Sequence, residues 1–139
     1  MSTSKQEPGL ASYSLIGDCH GAALVSSGAS IDWCCLPRFD SGSCFGALLD
    51  RRRGGCCSVS LDGDARDSGT SAYVPDTLVL ETLLESPEST VRVTDFFAMR
   101  EHGARNPRRE LGRILQCERG SVEARFEVAP LLELDGEAG

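Results

Sequence analysis

The chain has 139 residues, of which 40% are hydrophobic and 25% charged, with 15 glycines. That is the composition of one globular domain and excludes a disordered or collagen-like polymer. A net charge of −7 repels phosphate backbones and anionic lipid heads, so no nucleic acid and no membrane is expected as partner.

No uninterrupted apolar stretch exceeds four residues, as in Ala22 to Val25, which is too short to cross a bilayer. The polar start, Met1 to Gly9, has no apolar h-region, and a cytoplasmic location is expected. Seven cysteines (19, 34, 35, 44, 56, 57 and 117) form two vicinal pairs and no C-x-x-C spacing. An odd count without an export signal reads as free thiols rather than a disulfide framework or a structural zinc site. Cys19-His20 is the least implausible ligand pair, and no metal or cofactor is expected.

Residues 1–10 read as a flexible tail, residues 11–132 as the folded domain and 133–139 as a frayed end. From Tyr13 onward, short apolar runs alternate with turn chemistry about every ten residues, an all-β signature. Ala22–Val25 and Ser30–Cys35 form a predicted hairpin with its loop at Gly28, and Pro37 ends the second strand. Cys44–Asp50 reads as one short helix, a turn or two long, with Ser43 as its cap. Cys57–Leu61 resumes as a strand, and residues 62–71 are expected to be exposed loop.

Thr77–Glu85 is a longer predicted strand, with Leu78, Leu80 and Leu84 on one face and Glu81 and Glu85 on the other. Ser86–Ser89 turns the chain, and Val91 and Val93 then face inward. Glu101–Arg109 reads as solvated loop and Leu111–Cys117 as a strand. The clearest alternation is Val122–Val128. There Val122, Ala124, Phe126 and Val128 are expected inside, with Glu123, Arg125 and Glu127 in water. About seven hairpin-connected strands argue for antiparallel sheets packed as a β-sandwich.

Specific segments then carry a resemblance. Ser30-Ile-Asp-Trp-Cys-Cys-Leu-Pro-Arg-Phe-Asp-Ser41 and Cys44–Leu49 resemble the N-terminal domain of glycoside hydrolase family 15, the bacterial glucoamylase-like and trehalase-like proteins. Tyr13–Asp18, Ala22–Val25, Tyr73–Thr82 and Val91–Phe96 match in the same order, with a weaker echo at Arg113-Ile-Leu. The resemblance implies a partial super-sandwich that precedes a large (α/α) barrel carrying both catalytic glutamates. This chain has neither the barrel nor the length for one, so a fragment or truncated product, inactive alone, is expected.

Inverting glycosidases use two carboxyl groups about 6.5–9.5 Å apart. Asp32, Asp40 and Glu81 are the available carboxylates, and surface or turn placement is the expected reading of each. His20 and His102 read as surface histidines, and Arg51–Arg53 as a solvated turn. The loop Arg38-Phe39-Asp40 is left. Its ring can stack on a sugar, its guanidinium can donate to hydroxyls, and its carboxylate can accept from them. Arg38, Phe39 and Asp40 are therefore candidates for substrate binding or domain docking. Trp33 joins them as a weaker candidate, with sandwich core as its expected place.

The implied partners are a barrel in cis or in trans and an α-glucoside substrate. Trehalose, maltose, isomaltose and longer α-glucans are not distinguished by these residues. A stand-alone carbohydrate-binding module and a barrel-docking interaction domain are the alternatives.

Overall fold

The structure, a computed structural model, describes residues 9–62 and 69–131. In chain order the strands are β1 (Ser14–Gly17), β2 (Ala22–Val25), β3 (Ile31–Cys35), β4 (Ser43–Phe45) and β5 (Cys56–Leu61). They continue with β6 (Thr70–Tyr73), β7 (Leu80–Glu85), β8 (Thr90–Phe97), β9 (Leu111–Arg119) and β10 (Ala124–Ala129). They form two antiparallel sheets, as the alternation predicts. One runs β1-β2-β3-β5-β10 with β4 paired to the end of β3, and the other runs β6-β7-β8-β9.

Several local expectations change. Cys44 and Phe45 belong to β4 rather than to a helix. The reason is where the backbone donors go: Gly46 and Ala47 donate to Gly54 and Gly55, and Leu48 donates to the Asp32 carbonyl. Among the described residues the one helical element is a 3-10 turn at Leu10–Ser12. Thr70 and Ser71 begin β6 instead of ending a loop; of that loop, residues 63–68 lie outside the described residues, as do the expected tail up to residue 8 and the end from 132. Leu78 precedes β7 and is exposed, whereas Leu80 and Leu84 are buried as expected.

The largest departure is β10. Its alternation is real, and Phe126 and Val128 stand in register with buried Val59 and Cys57. Nevertheless Phe126 is 51% and Val128 54% exposed. The strand is the outermost of its sheet, and nothing among the described residues covers its inward face.

The core lies between the sheets in two clusters. Ile16, Val25, Ile31, Cys34, Phe45, Leu80 and Phe97 belong to one, and Ala29, Val59, Leu84, Val91 and Val93 to the other. Along β8, Asp95 falls between Val93 of one cluster and Phe97 of the other, and it is fully buried. Its partner is Arg113, directly across on β9, with contacts of 2.6 and 3.0 Å. The same guanidinium donates at 3.0 Å to the Cys57 carbonyl on the facing sheet. This side chain thus joins β8, β9 and β5.

A second buried carboxylate is Asp32, which is fully inside rather than on the surface. The Tyr13 phenol donates to it at 2.5 Å, Ser30 donates at 2.6 Å, and Arg51 pairs with it at 3.2 Å. The knot pins the start of β1 to the 51–53 turn. Burial, and then the adjoining Asp32 carboxylate, push the Tyr13 phenol up to about 12.

Both buried groups can be tested by substitution. Removing one partner of a buried ion pair leaves a stranded charge, so Arg113→Ala is expected to cost about 3–5 kcal/mol in urea unfolding. Arg92→Ala, which removes a part-exposed partner of Glu81 and Glu118, is expected to cost a small fraction of that. Equal losses for the two would contradict the assignment. The folded-state shift of Tyr13 is upward from 10.0, so its contribution is complete below pH 10 and is lost as pH climbs toward 12. Tyr13→Phe is expected to flatten the alkaline fall of stability in that window, and an unchanged slope would contradict it.

Candidate functional site

Three connections meet at one end of the sandwich. The β1–β2 connection is closed by Asp18, whose carboxylate accepts the backbone N–H groups of His20 and Gly21 at 2.9 and 2.8 Å. Such an Asx turn supplies in four residues what a longer loop would need backbone pairing to hold. Gly21 fits because a Cβ there would lie 2.9 Å from the Cys35 carbonyl and 3.3 Å from the Phe97 ring. That close approach brings the ends of β3 and β8 against the turn.

The β3–β4 connection begins at Leu36-Pro37, a cis peptide. Its tip is a tight turn in which Ser41 N–H donates to the Arg38 carbonyl at 3.1 Å. Arg38 and Asp40 form a two-pronged pair at 2.9 and 3.2 Å, with side chains 70% and 71% exposed. An ion pair this exposed is worth little in water, so both groups can be redirected to a ligand or partner at small cost. Phe39 lies between them in sequence and is exposed.

The β8–β9 connection, residues 98–110, is held by bonds within itself. Ala98 N–H donates to the Glu110 carbonyl, and the Arg100 guanidinium donates to the carbonyls of Asn106 and Pro107. Arg109 takes a left-handed φ of 58°, and across the cleft Cys19 takes 69°. Non-glycine residues in that region carry strain and cluster at functional sites.

Together the three connections line an open cleft of about 410 Å³: Cys19 and His20, Pro37 to Asp40, and Arg105, Pro107 and Arg109. Three arginines stand against one carboxylate there, in a chain whose net charge is −7. The cleft therefore offers guanidinium donors and a phenyl face. Among the described residues it offers one carboxylate, Asp40, and not the pair of carboxyl groups that glycosidic hydrolysis employs.

The expected site residues divide. Arg38, Phe39 and Asp40 all line the cleft, whereas Trp33 does not. Trp33 is half-buried, pairs in register with Leu24, and belongs to neither core cluster. Leu24 in turn pairs with Leu15, so the indole ends a Leu15–Leu24–Trp33 ladder on the outer face of its sheet. Asp32 is committed to its knot. Arg51 is part of that knot too, while Arg52 and Arg53 follow an Asp50-capped turn away from the cleft. Glu81 pairs with Arg92, as its outward face predicts.

Sequence reasoning missed Arg105, Pro107 and Arg109, and it took Cys19-His20 only as the least implausible ligand pair. The concentration of arginines between residues 100 and 109 of an acidic chain is the signal that could have drawn attention to that loop. The thiols are all free, and no metal-binding cluster occurs among the described residues. No helix among the described residues is long and apolar enough to cross a membrane.

Comparison with known proteins adds the lineage. A family model described as trehalase-like, N-terminal, matches residues 3–137. A trehalase of Mycolicibacterium smegmatis is 38% identical over 96 residues, covering 66% of this chain and 14% of that protein. A trehalase of Mycobacterium tuberculosis is 31% identical over 144 residues, covering 91% of this chain and 20% of that protein. A trehalase of Thermoplasma volcanium is 33% identical over 98 residues, with coverages of 69% and 16%. The chain thus spans a fifth or less of these relatives' length. No solved structure matches. With a family match running almost end to end, the chain belongs to the trehalase-like N-terminal domain family.

Proposed function

We propose that this domain is the non-catalytic N-terminal sandwich of an inverting α-glucoside hydrolase of the glycoside hydrolase 15 type. In this reading it docks on a catalytic (α/α) barrel, in cis or in trans, and lends the Arg38–Asp40 loop to the substrate entrance. The observation that carries the reading is the convergence of Arg38, Phe39 and Asp40 with Arg105 and Arg109 on one cleft. The family match and the trehalase relatives support a hydrolase context, and trehalose is the first substrate to test.

The division of labour follows from the chemistry present. Hydrolysis with inversion needs one carboxylic acid to protonate the leaving oxygen and one carboxylate to activate water. Asp40 is a single carboxylate held by Arg38, so the cleft can position hydroxyl groups and not cleave between them. Phe39 supplies a face for a sugar ring, Arg38 and Arg105 supply donors, and the Leu15–Leu24–Trp33 ladder supplies an apolar surface for the barrel.

Asp40→Ala in a full-length homologue that retains this segment tests the reading. Loss of a positioning contact of about 1.4 kcal/mol is expected to raise KM roughly tenfold and leave kcat nearly unchanged. A collapse of kcat at constant KM would overturn it. The alternative, a stand-alone carbohydrate-binding module, predicts saturable heat of binding when trehalose or maltose oligomers are titrated calorimetrically into the 139-residue chain. The docking reading predicts none.

A further inference from the structure

β3 and β4 do not pair evenly. Cys34 stands opposite Phe45 and Cys35 opposite Ser43, so one step along β3 spans two along β4, and Cys44 is the extra residue of a bulge. In a regular antiparallel ladder a residue one place out of register points to the opposite face. A bulge lifts that restriction and re-aims the side chain. Cys44 accordingly packs against the core cluster that holds Cys34, and its thiol donates to the Cys34 carbonyl at 3.3 Å.

The two thiols are also hydrogen-bonded to each other, and their surroundings differ. Cys34 is fully buried, whereas Cys44 is partly exposed. The Cys34 thiol as donor, joined by the backbone N–H groups of Cys44 and Phe45, outweighs burial and brings the Cys44 thiol down to about 7. That same hydrogen bond, and then burial, push the Cys34 thiol up. A thiolate, not a thiol, is the nucleophile, so Cys44 is the reactive member and Cys34 the one that keeps its proton. The neighbouring thiols are placed otherwise. Cys35 belongs to neither core cluster, and Cys57 is in contact with the Arg113 guanidinium.

We propose that Cys34 and Cys44 form a reversible redox site, in which a hydroperoxide oxidises Cys44 and Cys34 then closes a disulfide across the β3–β4 bulge. In the first step the Cys44 sulfur attacks one peroxide oxygen and the O–O bond breaks. Cys44 becomes a sulfenic acid, and the other oxygen leaves as water or an alcohol with the thiol's proton. In the second step the Cys34 sulfur attacks the Cys44 sulfur, the S–O bond breaks, and water leaves with the Cys34 proton. The two thiols lose two electrons and two protons, and the peroxide takes up both. A dithiol reductant reverses the bond by exchange.

The two cysteines bracket residues 35–43, so the bond ties together both ends of the connection that carries Arg38, Phe39 and Asp40. The bridge itself is independent of the docking reading, because it is detected whatever the cleft binds.

A peptide map of the reduced 139-residue chain tests it, after treatment with hydrogen peroxide and blocking of remaining thiols with N-ethylmaleimide. Peroxide is added until the exposed Cys19 and Cys117 begin to oxidise. Trypsin cuts after Arg38, which leaves Cys44 as the single cysteine of peptide 39–51 and Cys34 in peptide 6–38. The expected product is these two peptides joined, lighter than their sum by two hydrogen atoms, with fragmentation placing the bond at Cys34. Dithiothreitol is expected to separate them. Cys34→Ser is expected to abolish the joined species and leave Cys44 as a sulfenic acid that dimedone traps. Cys35→Ser is expected to keep the bridge at the wild-type level. Cys34 lies in the core, so if its variant fails to fold, the wild-type map and Cys35→Ser decide. Peptides 6–38 and 39–51 that stay separate while Cys19 and Cys117 oxidise overturn the proposal. So does a bond that maps to Cys35 or Cys19, or one that Cys35→Ser abolishes.

Discussion

The Asp95–Arg113 pair is the contact on which the sandwich turns. A carboxylate with no exposure and a guanidinium almost as deeply buried are stable between two sheets only if each is fully partnered. They are, by two contacts to each other and one to the Cys57 carbonyl of the opposite sheet. Unlike apolar contact, this arrangement has direction. It fixes the register of β9 against β8 and the approach of both to β5. Because Arg113 sits near the start of β9 and Asp95 near the end of β8, it also anchors both ends of the 98–110 connection. That connection then falls beside the Asp18 turn and the Arg38–Asp40 tip, and the cleft is the consequence.

Period-two alternation made the strands legible, and it did so because a sheet with one covered face filters side chains by parity. Leu80, Leu84, Val91 and Val93 obey the filter and are buried. Phe126 and Val128 obey the same parity and are exposed, since alternation reports which face a side chain takes and not whether anything lies opposite. Leu78 misleads for a related reason: it continues the pattern one step beyond the point where β7 begins.

The buried carboxylates were illegible on different grounds. Nothing in the identity of Asp32 or Asp95 sets them apart from surface acids. Their partners, Tyr13, Arg51 and Arg113, are distant in sequence and become neighbours only through strand pairing. The cleft shows both cases. Its Arg38–Asp40 tip is contiguous and could be read through a family resemblance. Its other wall, Arg105 and Arg109, comes from a loop brought across by the fold. A core position is the ordinary expectation for Trp33 because large aromatics usually lie there, but its register with Leu24 places it on the outer face of the sheet.

On the proposed reading, the domain needs rigid placement of a few contacting groups more than reactive groups of its own. The two carboxylate knots supply rigidity, the arginine-rich cleft supplies contacts of a sign opposite to the chain as a whole, and the outer ladder supplies apolar area. The central claim is that the three-loop end meets the catalytic partner. Hydrogen–deuterium exchange on this chain, alone and mixed with the part of the Mycolicibacterium smegmatis trehalase beyond the matched segment, tests it directly. The account predicts new protection at residues 19–20, 37–40 and 105–109. Protection confined to the β6–β7 side of the sandwich, or none anywhere, would contradict it.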